Sequence, residues 1–461
     1  MSEDLVATLR TSITGEVFAA GDDGYDLARA VWNGDVDRKP LAVVRPVDAN
    51  EVATCVRAAT STQADFTVRG GGHNYAGHAV ADGALMIDLS AINAVGVDTA
   101  TKRATVGGGA TWAALDAATA AVGLAMTGGF ISHTGVAGLT LGGGIGWLTR
   151  RCGLACDSLV GAQVVTADGR IVHASTDENA ELLWALRGGG GNFGIVTEFE
   201  FALHDVPPMA NLGLFFWTPD TARDALRFAR DYIHQLPADM GGLIGGMSAP
   251  PMPFVPEQYH FKPGFGVMVT NWASPEEHEG AIGPLRAYGP AFEMVTPIPY
   301  AGLQQMFDAQ AEWGSLAYEK AAYLDALTDD VIDVMLDFVP RVSSPMSFVP
   351  VFPLSGRYLD VGDNDTAFGG RRSPGWVFNI SGSAPANAPE LFAADRAWVR
   401  EFWDAIRPHA RDSGSYVNFI ADADDERVRA TYGAKYDRLA AVKATWDPGN
   451  VFRHNANIKP A

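Results

Sequence analysis

The sequence predicts a two-domain α+β protein. Three observations carry that expectation. The chain runs to 461 residues, more than one core of common domain size needs. Short β-branched runs alternate with helix-period stretches up to about residue 206. After "HDVPPMAN" the texture changes, and long amphipathic helices appear with strands between them. The first domain is expected over 1–206, with its core from about 36, and the second over 207–424.

Each element has its own signal. "PLAVVRPVDANEVATCVRAATSTQADFTVRGGGH" reads strand, helix, strand, glycine loop. Its helix places Val52, Cys55, Val56 and Ala59 at helical spacing, with Asp48 or Asn50 as the cap. "GALMIDLS" and "RATVGGGATWAALDAATAAVGLA" repeat the order of strand, glycines and Ala-rich helix. "LVGAQVVTADGRIVHAS" reads as a hairpin turning at Asp168-Gly169. "NAELLWALRGGGGNFGIVTEFEFAL" reads helix, glycine loop, strand. In the second region "PDTARDALRFARDYIHQL" and "LTDDVIDVMLDFVPRV" have helical period, while "FGVMVTNWA", "PMSFVPVFPL" and "GWVFNISGSA" read as strands. "GSYVNFIAD", Gly414 to Asp422, alternates like a further strand, with Tyr416 and Asn418 on one face. The closing "DPGNVFRHNANIKPA" is polar and turn-rich, the texture of a tail that docks.

Composition narrows the function classes. A formal charge of -20 argues against nucleic acid and anionic membrane surfaces as partners. Three cysteines, Cys55, Cys152 and Cys156, make no disulfide framework and fit a reducing compartment. Cys152 and Cys156 have no second His/Cys pair nearby, so a zinc site is opposed by two small apolar packers. The opening "MSEDLVATLRTSITGE" lacks a secretory pattern, and no stretch of about 20 apolar residues reads as a membrane span. The expectation is a cytoplasmic protein without a metal site, a monomer or homodimer.

The chemistry-bearing signal is a set of three glycine clusters. "GGGGNFG" satisfies G-x-G-x-x-G at Gly189, Gly191 and Gly194, but a helix precedes it and a strand follows. A dinucleotide fingerprint needs the reverse order, so that reading is rejected. "GLTLGGGIGWLTRRCGLACDSLVGA" offers either an anion nest of backbone N–H groups or a close-packed turn. "RGGGHNYAG", Arg69 to Gly77, presents His73 at the end of a glycine loop. Together the three clusters suggest a large ligand with a phosphate-bearing spine threaded between backbone loops.

"RGGGHNYAG", "GLTLGGGIGWLTRRCGLACDSL", "WALRGGGGNFGIVTEFEF" and "YGAKYDRLAAVKATWDPGNVFRHNANIKP" resemble, in order, the berberine bridge enzyme-like flavoprotein oxidases. These belong to the vanillyl-alcohol oxidase superfamily with a PCMH-type FAD-binding fold. The family's bacterial 6-hydroxynicotine oxidases are similar in length and in the "FRHN.NI.P" ending. The resemblance implies a substrate domain of antiparallel sheet backed by helices, and a segment 425–461 that returns to the FAD domain. It implies that His73 is bonded covalently to the flavin's 8-methyl carbon. Ile131 stands where many members carry a second, cysteine tether, so one covalent bond is expected.

The same resemblance assigns the rest of the FAD site. Arg69, Gly70, Gly71, Gly72, Asn74, Gly77 and His78 fall in the first motif. Thr134, Gly135, Gly138, Gly143, Gly144, Gly146, Trp147 and Asp157 fall in or beside the second, Gly194 and Val196 in the third. Thr134 either influences oxygen access or merely packs. Asn455 and Asn457 match tail residues that reach the flavin, against a turn-forming alternative. Tyr416 and Asn418 match the family's "Y-x-N" stretch, so Tyr416 is either the catalytic base or a wall residue. A phenol with a pKa of about 10 needs a nearby cation to act as base near neutrality. Arg371, Arg372 and Lys320 are the candidates, and Tyr318 and Glu319 are the substitutes for Tyr416.

The expected activity is oxidation of a C–H bond next to N or O of a small organic substrate. Hydride goes to flavin N5 and dioxygen reoxidises the flavin to give hydrogen peroxide. The alternatives are a dehydrogenase or oxidative cyclase on the same scaffold, and a non-catalytic flavin carrier.

Overall fold

The computed structural model of the chain describes residues 2–370, 372–411, 414–421 and 424–461. Arg371 and the last residue of "GSYVNFIAD" lie outside them. Among the described residues, three sheets of four or more strands organise the fold. The first has the order Glu16–Ala19, Ala42–Arg45, Leu85–Asp88, Phe66–Arg69. Its last three strands run parallel, so a crossover is required. Helix Ala49–Ser61 supplies it, capped by the Asp48 carboxylate accepting from Glu51 N–H. Val52, Cys55, Val56 and Ala59 are fully buried beneath it, as their spacing predicts. The second sheet is antiparallel, in the order Val95–Asp98, Arg103–Gly107, Ile195–Ala202, Leu159–Val165, Ile171–Ser175. The Asp168-Gly169 hairpin joins its last two strands, with Gly169 at positive φ.

The third sheet has seven antiparallel strands from the second half of the chain. Strand Gly375–Ala384 lies between Phe348–Leu354 and Leu316–Leu324. Helices Ala222–Gln235, Asp329–Phe338 and Pro389–Ile406 cover one face of this sheet. Leu226, Ile233, Met335, Val399 and Phe402 share a core there with Trp376, Phe378 and Ile380. Each such side chain contributes about 1.5–3 kcal/mol on burial. Period-two alternation sends Asn379, Ser381 and Ser383 to the opposite face, toward the first half of the chain. Helices Asp425–Tyr432 and Tyr436–Trp446 return to that half, where Val428, Tyr432 and Leu439 pack with Leu182 and Leu186.

The described part of "GSYVNFIAD", Gly414 to Ala421, is not a strand. Val417–Phe419 form a single 3-10 turn. Tyr416, Val417, Asn418 and Phe419 all reach the same cavity instead of alternating between two faces.

Candidate active site

One cavity of about 950 Å³ lies between the glycine loops of the first half and the open face of the seven-stranded sheet. That volume is at the top of the range for small-molecule sites. Strand Phe66–Arg69 delivers the chain to the first loop. Gly71 packs backbone to backbone against Gly135, where any Cβ would collide. Gly70, Gly71, Gly72, His73, Asn74 and His78 line the cavity. Arg69 does not. Its guanidinium is drawn to Asp88, at 3.0 and 2.6 Å, and to the Ala28 and Ala30 carbonyls. Gly77 is also off the wall; its left-handed φ makes a turn whose carbonyl accepts from Arg38.

His73 sits in an aromatic cage. It stacks on Trp32 at 5.0 Å and meets the edge of Trp313 at 5.8 Å. Its Nε2 lies 2.7 Å from His133 Nδ1. Burial, with His133 adding to it, pushes the imidazole pKa down to about 3. The ring is therefore neutral near pH 7, and a neutral imidazole keeps a nucleophilic lone pair. The adjacent Ile131 and Thr134 line the same wall.

The second glycine segment divides. Gly135, Gly138, Gly142 and Ile145 face the cavity. Gly143 turns away under the Phe368 and Tyr416 rings. Gly144 N–H donates to the Tyr416 hydroxyl at 2.8 Å. Gly146 packs on the Gly128 carbonyl, and Trp147 stacks with Phe307. Asp157 faces inward too, holding Arg372 at 2.6 and 2.9 Å. These five are scaffold to the loop and not lining. From the third cluster, Gly190, Gly191, Asn192, Gly194 and Val196 line the cavity.

The tail closes this end. Buried Lys443 donates to the Asn192 and Phe452 carbonyls and to Asp447. Ile458 N–H donates to Asn192 Oδ1. Asn455 Nδ2 donates to the Gly191 carbonyl at 3.1 Å, leaving Asn455 Oδ1 buried and unpartnered. Asn455 lines the cavity and Asn457 does not. These features fit a bound FAD. A Cβ on Gly138 or Gly191 would meet no protein atom within 4 Å, so both leave room for a ligand against the backbone. Thr67 Oγ1 and Asn455 Oδ1 are orphaned buried atoms on the same wall, of the kind a ligand satisfies.

The opposite wall is mostly apolar, with Leu214, Phe216, Met268, Phe292, Met306 and Phe307. Asn379, Ser381 and Ser383 form its polar stripe. Asn379 Nδ2 donates to Glu319 Oε2 at 3.0 Å, which leaves Asn379 Oδ1 without a protein partner. Burial raises the Glu319 carboxyl well above the usual range. Tyr75, on the His73 loop, reaches Ser381 Oγ at 3.3 Å. Asn379, Ser381, Trp32 and His133 belong to no motif in the sequence, and Tyr75 carries no signal beyond its place in "RGGGHNYAG". Only "WVFNISGSA" carried a signal, its alternating polar positions.

Tyr416 is nearly sealed, at 1% exposure. Its oxygen accepts from Gly144 N–H and from Asn418 Nδ2 at 2.9 Å. Burial pushes its phenol up. Arg372 is spent on Asp157, and Lys320 lies over the Tyr318 ring. Tyr318 itself belongs to the helix-backed core, away from the cavity. This geometry makes Tyr416 an anchor for the glycine loop.

Two family patterns match the chain: an FAD binding domain over residues 40–175, and the berberine and berberine-like pattern over residues 415–459. The (R)-6-hydroxynicotine oxidase of Paenarthrobacter nicotinovorans is 32% identical over 489 aligned positions, covering 100% of this chain and 99% of that protein. Among solved structures, 6-hydroxy-D-nicotine oxidase from Arthrobacter nicotinovorans superposes with a TM-score of 0.82 at 28% identity, covering 98% of this chain and 99% of that one. The glucooligosaccharide oxidase of Acremonium strictum, described as carrying 6-S-cysteinyl, 8α-N1-histidyl FAD, has the same fold. Its TM-score is 0.86 at 22% identity, over 100% of this chain and 99% of its own.

Proposed function

The chain belongs to the berberine bridge enzyme-like FAD-linked oxidases, and on that premise we propose that it oxidises a C–H bond next to N or O of a largely apolar small molecule, with FAD tethered once, through His73. The observation that carries this reading is the two-walled cavity. One wall is glycine loops and a neutral histidine, and the other is aliphatic and aromatic with a short polar stripe.

Gly70 to Gly72, Gly138, Gly191 and Asn455 would hold the cofactor. Ile131 occupies the place of a sulfur tether with a side chain that forms no bond. When bound, FAD supplies a two-electron acceptor whose electrons pass to dioxygen, giving hydrogen peroxide. The chain supplies the rest. Its apolar wall excludes water from the reacting C–H bond. Asn379 Oδ1, aimed by the bond from Nδ2 to Glu319, accepts the substrate's O–H or N–H and orients the adjacent carbon. Nothing charged stands on the stripe formed by Asn379, Ser381 and Ser383, which favours a neutral hydrogen-bonding head on an apolar body.

Acid-precipitated protein should stay yellow, and its mass should exceed that of the chain by one FAD less two hydrogens. A panel of hydrophobic aromatic amines and alcohols should yield peroxide. Flavin in the acid supernatant overturns the tether. Dye reduction without peroxide turns the reading to a dehydrogenase.

A further inference from the structure

The connection between strands Met240–Ser248 and Pro263–Asn271 is out of proportion to the hairpin it closes. It takes residues 249–262, where hairpin loops usually take about 2–5. Pro250, Pro251, Pro253 and Pro256 stiffen it. Ala249 N–H donates to the Lys262 carbonyl at 2.9 Å and Phe261 N–H to the Ala249 carbonyl at 2.8 Å, which closes its base. Met252, Phe254 and Phe261 of this loop line the cavity. Met252 is 48% exposed and Phe261 57%. Phe261 also holds a left-handed φ of 60°, which a bulky residue keeps only where its surroundings enforce it. A strained, exposed aromatic ring at a cavity mouth calls for a ligand that covers it.

The wall beneath the loop is continuous. Met294, Leu214, Met268 and Leu243 are paired in register across four neighbouring strands, and all four face the cavity. A second row runs from Met247 through Phe348 to Ser381 of the polar stripe. With strands about 4.8 Å apart, Met247 stands two strands or about 10 Å from that stripe, and Met294 five strands or about 24 Å. Met247, Met252, Met268, Met294, Met306 and Met346 all line the cavity, half of the chain's 12 methionines. Flexible thioether chains adapt to what they touch, so this wall suits an apolar group of variable shape. Among the described lining residues the one side chain of fixed charge is Arg453, in the tail.

We propose that this wall and the loop over it form a second subsite, which binds an apolar arm of the substrate about 10 Å or more from the polar stripe. The substrate is then an extended amphiphile. Its neutral head lies on Asn379, Ser381 and Ser383, and its alkyl or aryl arm is gripped by Met252, Phe254 and Phe261. The placement of the head rests on the oxidase reading above, whereas the arm is argued from the loop and the wall.

The probes are 4-alkylbenzamides from ethyl to octyl. Their amide is a neutral hydrogen-bonding head, and they carry no C–H next to N or O, so they bind without turnover. From the stripe, the ethyl arm is too short to reach past Met247 and the octyl arm is long enough. Calorimetry on the flavin-loaded protein reads affinity, and the visible flavin spectrum reads whether the head lies by the ring. In the wild type each added methylene should tighten binding by roughly two- to fourfold, and the heat-capacity change should grow more negative with arm length. Met252→Ala and Phe261→Gly should each weaken octyl binding by about 10-fold and leave ethyl binding within about twofold. Phe261→Gly relieves the left-handed backbone, so its melting temperature should equal or exceed that of the wild type. Affinity independent of arm length overturns the subsite, as does a slope that both variants keep. Binding of no member overturns it too. Lost octyl affinity accompanied by a lower melting temperature in both variants also overturns it, since the two side chains would then only shape the loop. A steep slope with an unchanged flavin spectrum supports the subsite and overturns the placement of the head.

Discussion

The Tyr416 hydroxyl accepts two N–H groups, from Gly144 and from Asn418, in a place closed to water. Removing that oxygen strands a backbone donor of the glycine loop at a cost of about 1–3 kcal/mol. Tyr416→Phe should therefore lower the melting temperature by several degrees and weaken FAD retention. Reduction of flavin still bound, followed anaerobically by stopped flow, should slow by less than about 10-fold. A loss of about 10²–10⁴-fold at unchanged stability would return Tyr416 to the role of base. The residue types pointed correctly to this corner of the site. They could not say whether the phenol was spent on substrate or on backbone, because that depends on a partner 272 positions away.

Glycine loops behave differently according to what their missing Cβ would meet. At Gly71 a side chain would strike the backbone of Gly135, so Gly71→Ala pushes two loops apart. At Gly191 it would meet no protein atom within 4 Å, only the cavity. Gly191→Ala should leave the melting temperature of the flavin-free protein unchanged within about a degree and weaken FAD uptake by about 10-fold or more. Gly71→Ala should lose both. Equal uptake by Gly191→Ala and wild type in a fluorescence titration would remove that loop from the cofactor site. Elements with a local cause were legible in the sequence: the Asp48-capped helix, the Asp168-Gly169 hairpin, the three glycine clusters. "GSYVNFIAD" was not. Its alternation imitates a strand, but the Tyr416 and Asn418 side chains bond to Gly144 and Leu139 of another loop and hold it as a turn. Arg69 and Asp157 misled for a related reason. The resemblance places both in the FAD site by motif, yet Asp88 and Arg372 complete both pairs from distant segments.

The two halves meet along a seam that also shapes the cavity. Trp32 Nε1 donates to the Ala311 carbonyl at 2.7 Å, and Asn33 Nδ2 to the Ala317 carbonyl at 2.9 Å. Deeper in, Gln304 Nε2 bridges the Asp116 carboxyl at 3.1 Å and the Gly129 carbonyl at 3.0 Å. Among the described residues no cation offsets the burial of Asp116, which raises its pKa to about 7. The sign of the consequence follows from linkage. The folded carboxyl holds its proton more tightly than the unfolded one, so acid favours the fold at this site. As pH rises past about 3.9, the unfolded chain alone loses the proton and stability falls. The fall ends near pH 7, where the folded carboxyl ionises as well. A shift of roughly three pKa units corresponds to at most about 4 kcal/mol. Asp116→Asn removes the titration and keeps an oxygen for Gln304 Nε2. Gln304 Oε1, unpartnered in the native chain, is an acceptor for the new amide hydrogens. Thermal melts should show the variant above wild type at pH 8, with the gap closing steadily to nothing below about pH 4. Parallel curves from pH 4 to 8 would mean that Asp116 is ionised in the folded protein, and that a cation or water at the seam offsets the burial.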